Sequence, residues 1–227
     1  VEVGSEVTSF AVDDVVTVNP VLSCSECSAC RRGRPSLCEK LAYYGMIGVE
    51  GGHAEYAAVK AANCVKLPKE APLEYVAFGE PAGVAFHAIN QAGIGDGATV
   101  AVIGGGPIGQ LAAQYARAAG AERVFMTEIA PVRSAYAEKI GAVDSVLNPV
   151  DVDVLEAILD LTNGAGVDYS IECSGGNRSG LLQDTASQAI ELTRPEGTTV
   201  IVGTFGAPSE LHFNNIVLLE RHVVGAW

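Results

Sequence analysis

The sequence Thr99-Val-Ala-Val-Ile-Gly-Gly-Gly-Pro-Ile-Gly109 begins with a short, largely apolar run and continues into a segment that contains four glycines. Its first five residues are mostly β-branched, which is typical of a buried strand. From Pro107 to Ala119 apolar residues recur at helical spacing. Proline stands where the first helical turn accepts it, and Gly120 stands where a helix would end. The stretch therefore predicts a strand, a tight turn and a helix in succession.

Strands and helices continue to alternate after this stretch. Strands are predicted at residues 99–103, 123–127, 144–147, 167–173 and 199–202, with another from Val223, and helices at residues 107–119, 131–140, 152–161 and 181–192. Such alternation implies right-handed crossovers and a parallel sheet. Residues 1 to about 80 instead contain short strand-like runs at 15–18, 55–59 and 63–67. We therefore predict an α/β fold with a β-rich first part.

The glycine turn fits the pattern G-x-G-x-x-G. The pattern is weak alone, but here it follows a strand, opens a helix and is followed by an acidic residue at the end of the next strand, which is the context of a dinucleotide site. Gly104 permits the tight turn, Gly106 lets the backbone approach a pyrophosphate, and Gly109 lets helix and strand pack closely. The predicted phosphate-side contacts are Gly104, Gly106, Pro107, Ile108 and Gly109, at a helix N-terminus with free N–H groups. A glycine-rich turn without a ligand is the alternative.

Glu128 follows Gly109 by 19 residues and ends the next predicted strand. Its carboxylate can accept hydrogen bonds from the adenosine ribose and would repel a 2′-phosphate, so NAD is favoured over NADP. Arg133 leaves NADP open as a cofactor, unless it is an ordinary exposed helix residue.

Ligands of open α/β sheets lie at the carboxyl ends of the strands. This rule predicts further cofactor contacts in the turns after two later strands, at Cys173, Val202, Gly203 and Thr204. Ordinary strand-to-helix turns are the alternative for each of these residues taken singly.

Cys24, Cys27, Cys30 and Cys38 have the spacing C-x2-C-x2-C-x7-C. Four close thiolates favour tetrahedral zinc, and a site closed by four protein ligands is structural. An iron–sulfur cluster is a rival, although the bacterial ferredoxin run has three residues before its fourth cysteine. Two disulfides are another rival, but no secretory leader supports an oxidising compartment.

Composition excludes several classes of protein. The 227 residues include 27 acidic and 14 basic side chains, for a formal net charge of −13, and 48% are hydrophobic. The charge argues against nucleic acid or an anionic membrane surface as a partner, and the hydrophobicity argues against disorder. Residues 98–116 are uncharged, but their glycines and glutamines favour a strand, turn and helix over a membrane span.

The ends of the sequence carry two further expectations. The first residue is Val1, no basic leader with an apolar core follows it, and the sequence stops at Trp227 directly after an apolar run. We expect an internal part of a longer, cytoplasmic protein.

The cysteine spacing and the glycine turn together resemble the zinc-dependent medium-chain alcohol dehydrogenases. The stretches that carry the resemblance are residues 1–8 (Val-Glu-Val-Gly-Ser-Glu-Val-Thr), the four cysteines, Gly51-Gly-His-Ala-Glu-Tyr56, Glu80-Pro-Ala-Gly-Val-Ala-Phe-His87, the glycine turn and Thr199-Val-Ile-Val-Gly203. The resemblance implies a partial GroES-like catalytic domain at residues 1–83. It also implies an NAD-binding Rossmann domain at residues 84–227, a doubly wound parallel sheet that is truncated at its C-terminal end. A structural zinc on the four cysteines and a homodimer or homotetramer are implied as well.

The resemblance further implies a catalytic zinc. Its other ligands in this family, a Cys and a His-Glu pair, lie upstream of the position that matches Val1. Glu80 stands at the Glu-Pro position of the sorbitol, butanediol and threonine dehydrogenase branch, where it ligates the zinc or reaches it through water. An acidic residue favoured by a helix dipole is the alternative for Glu80.

The resulting hypothesis is NAD-dependent oxidation of a small secondary alcohol or polyol, in which zinc acidifies the hydroxyl and hydride passes to the nicotinamide. The exact alcohol stays open, and the present 227 residues alone are expected to be inactive. A zinc-free member of the quinone reductase kind is one alternative. A redox or binding protein that works through its cysteines is another.

Overall fold

The computed structural model describes residues 1–176 and 184–227, and its contacts divide the chain into two units, Val1–Glu80 and Pro81–Trp227. The elements of the first unit, in chain order, are β1 (Val16–Val18), β2 (Val21–Leu22), α1 (Ser28–Arg31), β3 (Ala42–Tyr44), β4 (Gly48–Val49), β5 (Cys64–Lys66) and α2 (Leu73–Val76). β1 pairs antiparallel with β5, and β2, β3 and β4 form a second small sheet. α3 (Gly79–Ala92) follows. The division predicted after residue 83 falls inside α3 and stays a prediction.

The strand predicted at residues 55–59 is wrong. The structure assigns no strand there, and Glu55, Tyr56, Ala57 and Ala58 are all exposed, Tyr56 to 73%. The run does not alternate strictly, because Tyr56, Ala57, Ala58 and Val59 follow one another, so only the β propensity of Tyr56 and Val59 favours a strand. Such propensity produces a strand only where a neighbouring surface packs against one face.

The sheet of the second unit contains six parallel strands in the order β11-β10-β9-β6-β7-β8. They are β6 (Thr99–Ile103), β7 (Arg123–Thr127), β8 (Ser145–Leu147), β9 (Val167–Glu172), β10 (Thr193–Ile201) and β11 (His222–Gly225). When β6 to β11 are numbered 1 to 6, this is the doubly wound strand order 3-2-1-4-5-6. The order in which the chain adds strands reverses between β6 and β9, which is the switch point of the sheet. The predicted α/β class is confirmed.

The helices between the strands are α4 (Pro107–Ala118), α5 (Pro131–Ile140), α6 (Val154–Leu161), α7 (Thr185–Leu192) and the short α8 (Asn214–Val217). β6 shows how the core is built. Val100 and Val102 belong to one buried apolar cluster, and Ala101 and Ile103 belong to another. Successive side chains of a strand point to opposite faces, so this strand is buried on both sides.

Several predicted boundaries shift because a side chain or a bulge sets the end of the element. α6 begins at Val154 rather than residue 152, since the Asp153 carboxylate accepts a hydrogen bond from the Glu156 amide. Asp184 caps α7 in the same way, and the predicted start of that helix at residue 181 lies outside the described residues. β10 begins at Thr193 rather than residue 199, with an irregularity between Thr193 and Thr198.

Within residues 1–176 and 184–227, no helix has both the length and the apolar character that a membrane crossing requires.

Candidate zinc and dinucleotide sites

Four cysteines converge in the segment of residues 24–38, which we call the cysteine lobe. α1 starts immediately after Cys27 and contains Cys30, and a short 3-10 helix, Pro35–Leu37, ends next to Cys38. The four sulfur atoms lie within 4.8 Å of one another. The structure therefore brings together all four predicted ligands.

The spacing of these sulfur atoms fits a tetrahedral metal. The sulfur of Cys24 lies 4.0 Å from that of Cys30, and the sulfur of Cys27 lies 4.0 Å from that of Cys38. A zinc ion with four thiolates at about 2.3 Å holds them about 3.8 Å apart, whereas a disulfide requires about 2.05 Å. All six cysteines of the chain are free thiols. The donor set and its geometry fit zinc and do not fit two disulfides.

Backbone amides prepare part of the lobe for metal binding. The amides of Cys30 and Glu39 lower the pKa of the Cys27 thiol to about 6, and the amide of Cys24 lowers the pKa of Cys38. Burial and the neighbouring sulfur atoms raise the pKa of Cys30 to about 11. Thiolate is the form that binds metal, so a cation is needed to hold Cys30 in this form at neutral pH.

The glycine turn lies at the carboxyl end of β6. Gly104 has a φ of +99°, and its amide donates to the Thr127 carbonyl at 3.0 Å. A Cβ on Gly109 would lie 1.8 Å from the Gly104 carbonyl oxygen, so helix and strand pack there at backbone distance. A Cβ on Gly106 would meet nothing within 4 Å. The turn is thus closed at Gly109 and open at Gly106, as a surface that receives a phosphate requires.

Glu128 lies beside this turn at the end of β7, with 5% of its surface exposed. Its carboxylate accepts hydrogen bonds from the amides of Gly105 at 2.9 Å and Ala130 at 2.7 Å. Arg133 forms a bidentate ion pair with the same carboxylate, in which Nε donates to Oε2 at 2.8 Å and Nη2 donates to Oε1 at 2.7 Å. Burial raises the pKa of Glu128, but these hydrogen bonds outweigh it and hold the pKa below its ordinary value. The exposed Arg133 is therefore the partner of a buried, charged carboxylate.

The turns after β9 and β10 meet at the same edge of the sheet. The amides of Val202 and Gly203 both donate to the Glu172 carbonyl, at 2.9 and 3.1 Å, and the Cys173 amide donates to the Ile103 carbonyl at 2.8 Å. Thr204 follows with its carbonyl near the β9 turn. We call the turns after β6, β7, β9 and β10 the cofactor edge. Its predicted residues are adjacent in space, and their contact with a cofactor stays a prediction.

Sequence reasoning missed Glu172, the last residue of β9. Its side chain is fully buried at the cofactor edge. Burial and the charge of Glu172 raise the pKa of the neighbouring Cys173, so this thiol stays protonated. An acidic residue at the end of a predicted strand, at the carboxyl edge of the sheet, is the signal that could have drawn attention to it.

Glu80 is exposed in the first turn of α3, and its Oε1 atom accepts a hydrogen bond of 2.5 Å from the Tyr43 hydroxyl. Burial and the neighbouring carboxylate raise the pKa of Tyr43, which keeps it a donor. Among the side chains that the structure describes, the cysteine lobe is the one group of three or more His, Cys, Asp or Glu residues able to hold a metal. Glu80 is not in that group, and its metal role stays a prediction.

Two family models match the chain. The model described as "Zinc-binding dehydrogenase" matches residues 107–227, and the model described as "Alcohol dehydrogenase GroES-like domain" matches residues 1–69. The first model begins at Pro107, so it covers α4 with Gly109 and the five strands β7 to β11, and the second covers the cysteine lobe.

Curated relatives and solved structures match over nearly the whole chain. An L-threonine 3-dehydrogenase of Pyrococcus abyssi is 36% identical over 99% of this chain, and an (R,R)-butanediol dehydrogenase of Bacillus subtilis is 35% identical over 99%. The chain spans 62% of the length of each. A zinc-binding dehydrogenase of Sinorhizobium meliloti 1021, bound to NADP, superposes with a TM-score of 0.90 at 34% identity, over 100% of this chain and 65% of that one.

Proposed function

The chain belongs to the zinc-dependent medium-chain alcohol dehydrogenase family, and we propose that the intact protein oxidises a small secondary alcohol or polyol with NAD. The observation that carries this proposal is the cofactor edge. A charged carboxylate, an open glycine turn and a helix N-terminus lie together at the switch point of a doubly wound sheet. Similar proteins are named as dehydrogenases of threonine, idonate and butanediol, compounds that each carry a secondary hydroxyl group.

The doubly wound sheet divides a dinucleotide between its two halves. Glu128 and the turn of Gly104, Gly106 and Gly109 belong to the half made by β6, β7 and β8, so we assign them the adenosine and pyrophosphate. The turns of Cys173, Val202, Gly203 and Thr204 belong to the half made by β9, β10 and β11, and we assign them the nicotinamide side.

We propose NAD rather than NADP because Glu128 is charged where the adenosine ribose would bind. A 2′-phosphate would approach a buried carboxylate whose pKa lies below its ordinary value. Arg133 acts in the opposite sense, but its guanidinium is already paired with both oxygens of Glu128. In an assay of alcohol oxidation, NADP should therefore give a lower kcat/KM than NAD. Glu128→Gln should reduce the ratio of the two kcat/KM values.

Two zinc ions are part of the proposal. The cysteine lobe would hold one, which orders that segment. Glu80 would contribute to a second, catalytic site, where zinc supplies Lewis acidity and lowers the pKa of the substrate hydroxyl. The chain's own contribution at that point is orientation, because the Tyr43 hydroxyl fixes one oxygen of Glu80 and leaves the other free. We further propose a homodimer or homotetramer as the assembly.

The test is an assay of the intact protein with NAD and zinc, using 2,3-butanediol, sorbitol and threonine as substrates and NADH absorbance as the readout. The control substrate is tert-butanol, which has a hydroxyl but no hydrogen on the carbinol carbon to transfer. We expect NADH with at least one secondary alcohol and none with the tertiary one. Absence of NADH with every secondary alcohol contradicts the proposal.

A further inference from the structure

Glu172 is a buried carboxylate with a full set of donors. Its Oε1 atom accepts hydrogen bonds from the amides of Ser174 at 2.8 Å and Gly175 at 2.9 Å, and from the Thr185 hydroxyl at 2.9 Å. Its Oε2 atom accepts from the Gly203 amide at 3.2 Å. Every partner donates, which is the pattern that an ionised carboxylate satisfies because it can only accept.

The two oxygens serve two different turns. Oε1 contacts the turn after β9, and Oε2 contacts Gly203 in the turn after β10. The main chain of Glu172 adds to this link, since its carbonyl also accepts from the Gly203 amide at 3.1 Å. An ionised group is expensive to bury unless it is hydrogen-bonded, so the contacts that it makes on both sides are the reason it is tolerated.

The turns that this carboxylate links approach each other so closely at glycines that a Cβ atom would not fit between them. A Cβ on Gly203 would lie 2.3 Å from the Gly175 nitrogen, and a Cβ on Gly175 would lie 2.8 Å from the Thr204 carbonyl oxygen. A Cβ on Gly104 would approach Ser174 to 3.1 Å. The turns after β6, β9 and β10 are thus in backbone contact, and small shifts of one turn are transmitted to the next.

We propose that Glu172 is a positioning residue for the nicotinamide half of the cofactor. It holds the β10 turn against the β9 turn, and these turns belong to the half of the sheet opposite Glu128. The inference rests on the proposed function, because it assumes that a dinucleotide binds along the cofactor edge. Glu172 acts through the backbone that it fixes, and it touches neither substrate nor reacting atoms.

Glu172→Gln tests this role in the intact protein. The amide oxygen can replace Oε1 and keep its three donors, but the NH2 group then faces the Gly203 amide, donor against donor. The probes are NADH and ADP-ribose, which share the adenosine, pyrophosphate and ribose and differ in the nicotinamide. We expect the Kd for NADH to rise about tenfold, as an unpaired buried donor produces, with the Kd for ADP-ribose within about twofold of wild type.

Glu128→Gln is the matched control. It makes the same chemical change in a buried carboxylate that also accepts backbone amides, but on the adenosine side of the cofactor edge. We expect it to weaken NADH and ADP-ribose by the same factor. A general loss of fold would also affect both ligands equally, so the selective pattern separates positioning from structural damage.

Gly203→Ala is a second test that keeps the carboxylate. Its Cβ would lie 2.4 Å from Glu172 Oε2 and must displace the β10 turn, so the same selective loss of NADH is expected even if Glu172→Gln does not fold. Equal weakening of both ligands, or of neither, in these variants overturns the inference. If the wild-type protein binds neither NADH nor ADP-ribose, the proposed function fails and the inference falls with it.

Discussion

The apolar cluster of the cysteine lobe consists of the four cysteines together with Ala29 and Leu41. The strands under the cofactor edge instead pack against two large clusters, in which Val100, Val102 and Ile103 have 1% or less of their surface exposed. Removing the sulfur atoms from the first cluster leaves almost no core, whereas the second needs no ligand to be buried. We therefore expect the cysteine lobe to be ordered by a bound zinc ion, and the cofactor edge to be ordered before it binds a cofactor.

The largest expected effect is the local unfolding of the cysteine lobe in a variant whose six-stranded sheet stays folded. In Cys38→Ser the intact protein should lose one zinc ion per chain, because a hydroxyl does not replace a thiolate as a ligand. Structural zinc contributes about 10–16 kcal/mol in zinc-finger peptides, so the lobe should unfold locally. Zinc analysis and limited proteolysis should show metal loss and cleavage within residues 24–38.

Cys64→Ser is the control for that experiment, since it removes a free thiol that lies outside the group of four. It should keep the zinc content and the protease resistance of the wild type. Unchanged zinc content in Cys38→Ser would contradict the assignment of Cys38 as a ligand. Loss of zinc without a change in protease resistance would show that the lobe does not depend on a metal, and the contrast with the cofactor edge would be lost.

The second prediction concerns the packing of the cofactor edge, which we expect to be formed before any ligand binds. In Gly109→Ala the new Cβ would collide with the Gly104 carbonyl oxygen. Because this oxygen is a backbone atom, no side-chain rotamer change can relieve the clash. We expect a loss of about 3 kcal/mol in the free energy of unfolding, the upper range for overpacking. Gly95→Ala, whose Cβ would meet nothing within 4 Å, should change it by less than about 0.5 kcal/mol. Urea unfolding checks both variants, and equal midpoints for the two would contradict the prediction.

A third prediction separates folding from binding within the cofactor edge itself. Gly106 has an extended backbone conformation that alanine can adopt, and its Cβ would point into open space. Gly106→Ala should therefore change the free energy of unfolding by less than about 1 kcal/mol. Because a phosphate should approach that space, the Kd for NADH should rise about tenfold. Unchanged NADH affinity, measured by fluorescence titration, would contradict the assignment of this turn to the pyrophosphate.

The difference between the two regions also explains what the sequence could predict. β6, β7 and α5 have the predicted bounds, because a buried strand or a capped helix is specified by neighbouring residues. The four cysteines were found from spacing alone. Glu172 was missed because two of its four donors, Thr185 and Gly203, are distant in sequence and only the folded chain brings them to it. The Tyr43 contact with Glu80 spans 37 residues and has no local signal either.

The smallest expected effect concerns the ion pair of Glu128 and Arg133. It measures how much this pair contributes to the free energy of unfolding without a bound cofactor. Arg133→Met removes the exposed partner of a carboxylate with 3% side-chain exposure, while the amides of Gly105 and Ala130 still donate. Because the side chain of Arg133 is 51% exposed, solvent screens the pair, and we expect a loss of about 1 kcal/mol or less at pH 7.

The sign of the pH dependence follows from the lowered pKa of Glu128. The wild-type pair stabilises the fold above the unfolded pKa of about 4.3 and loses this contribution as the pH falls through the folded value. The deficit of Arg133→Met should therefore shrink between pH 5 and pH 3. Lys139→Met removes the same charge from the last turn of α5 and should show no such trend. Urea unfolding of the three proteins side by side cancels any acid release of zinc, since all keep the same cysteines. A deficit that stays constant or grows on acidification would show that Arg133 stabilises the edge by packing rather than by its charge.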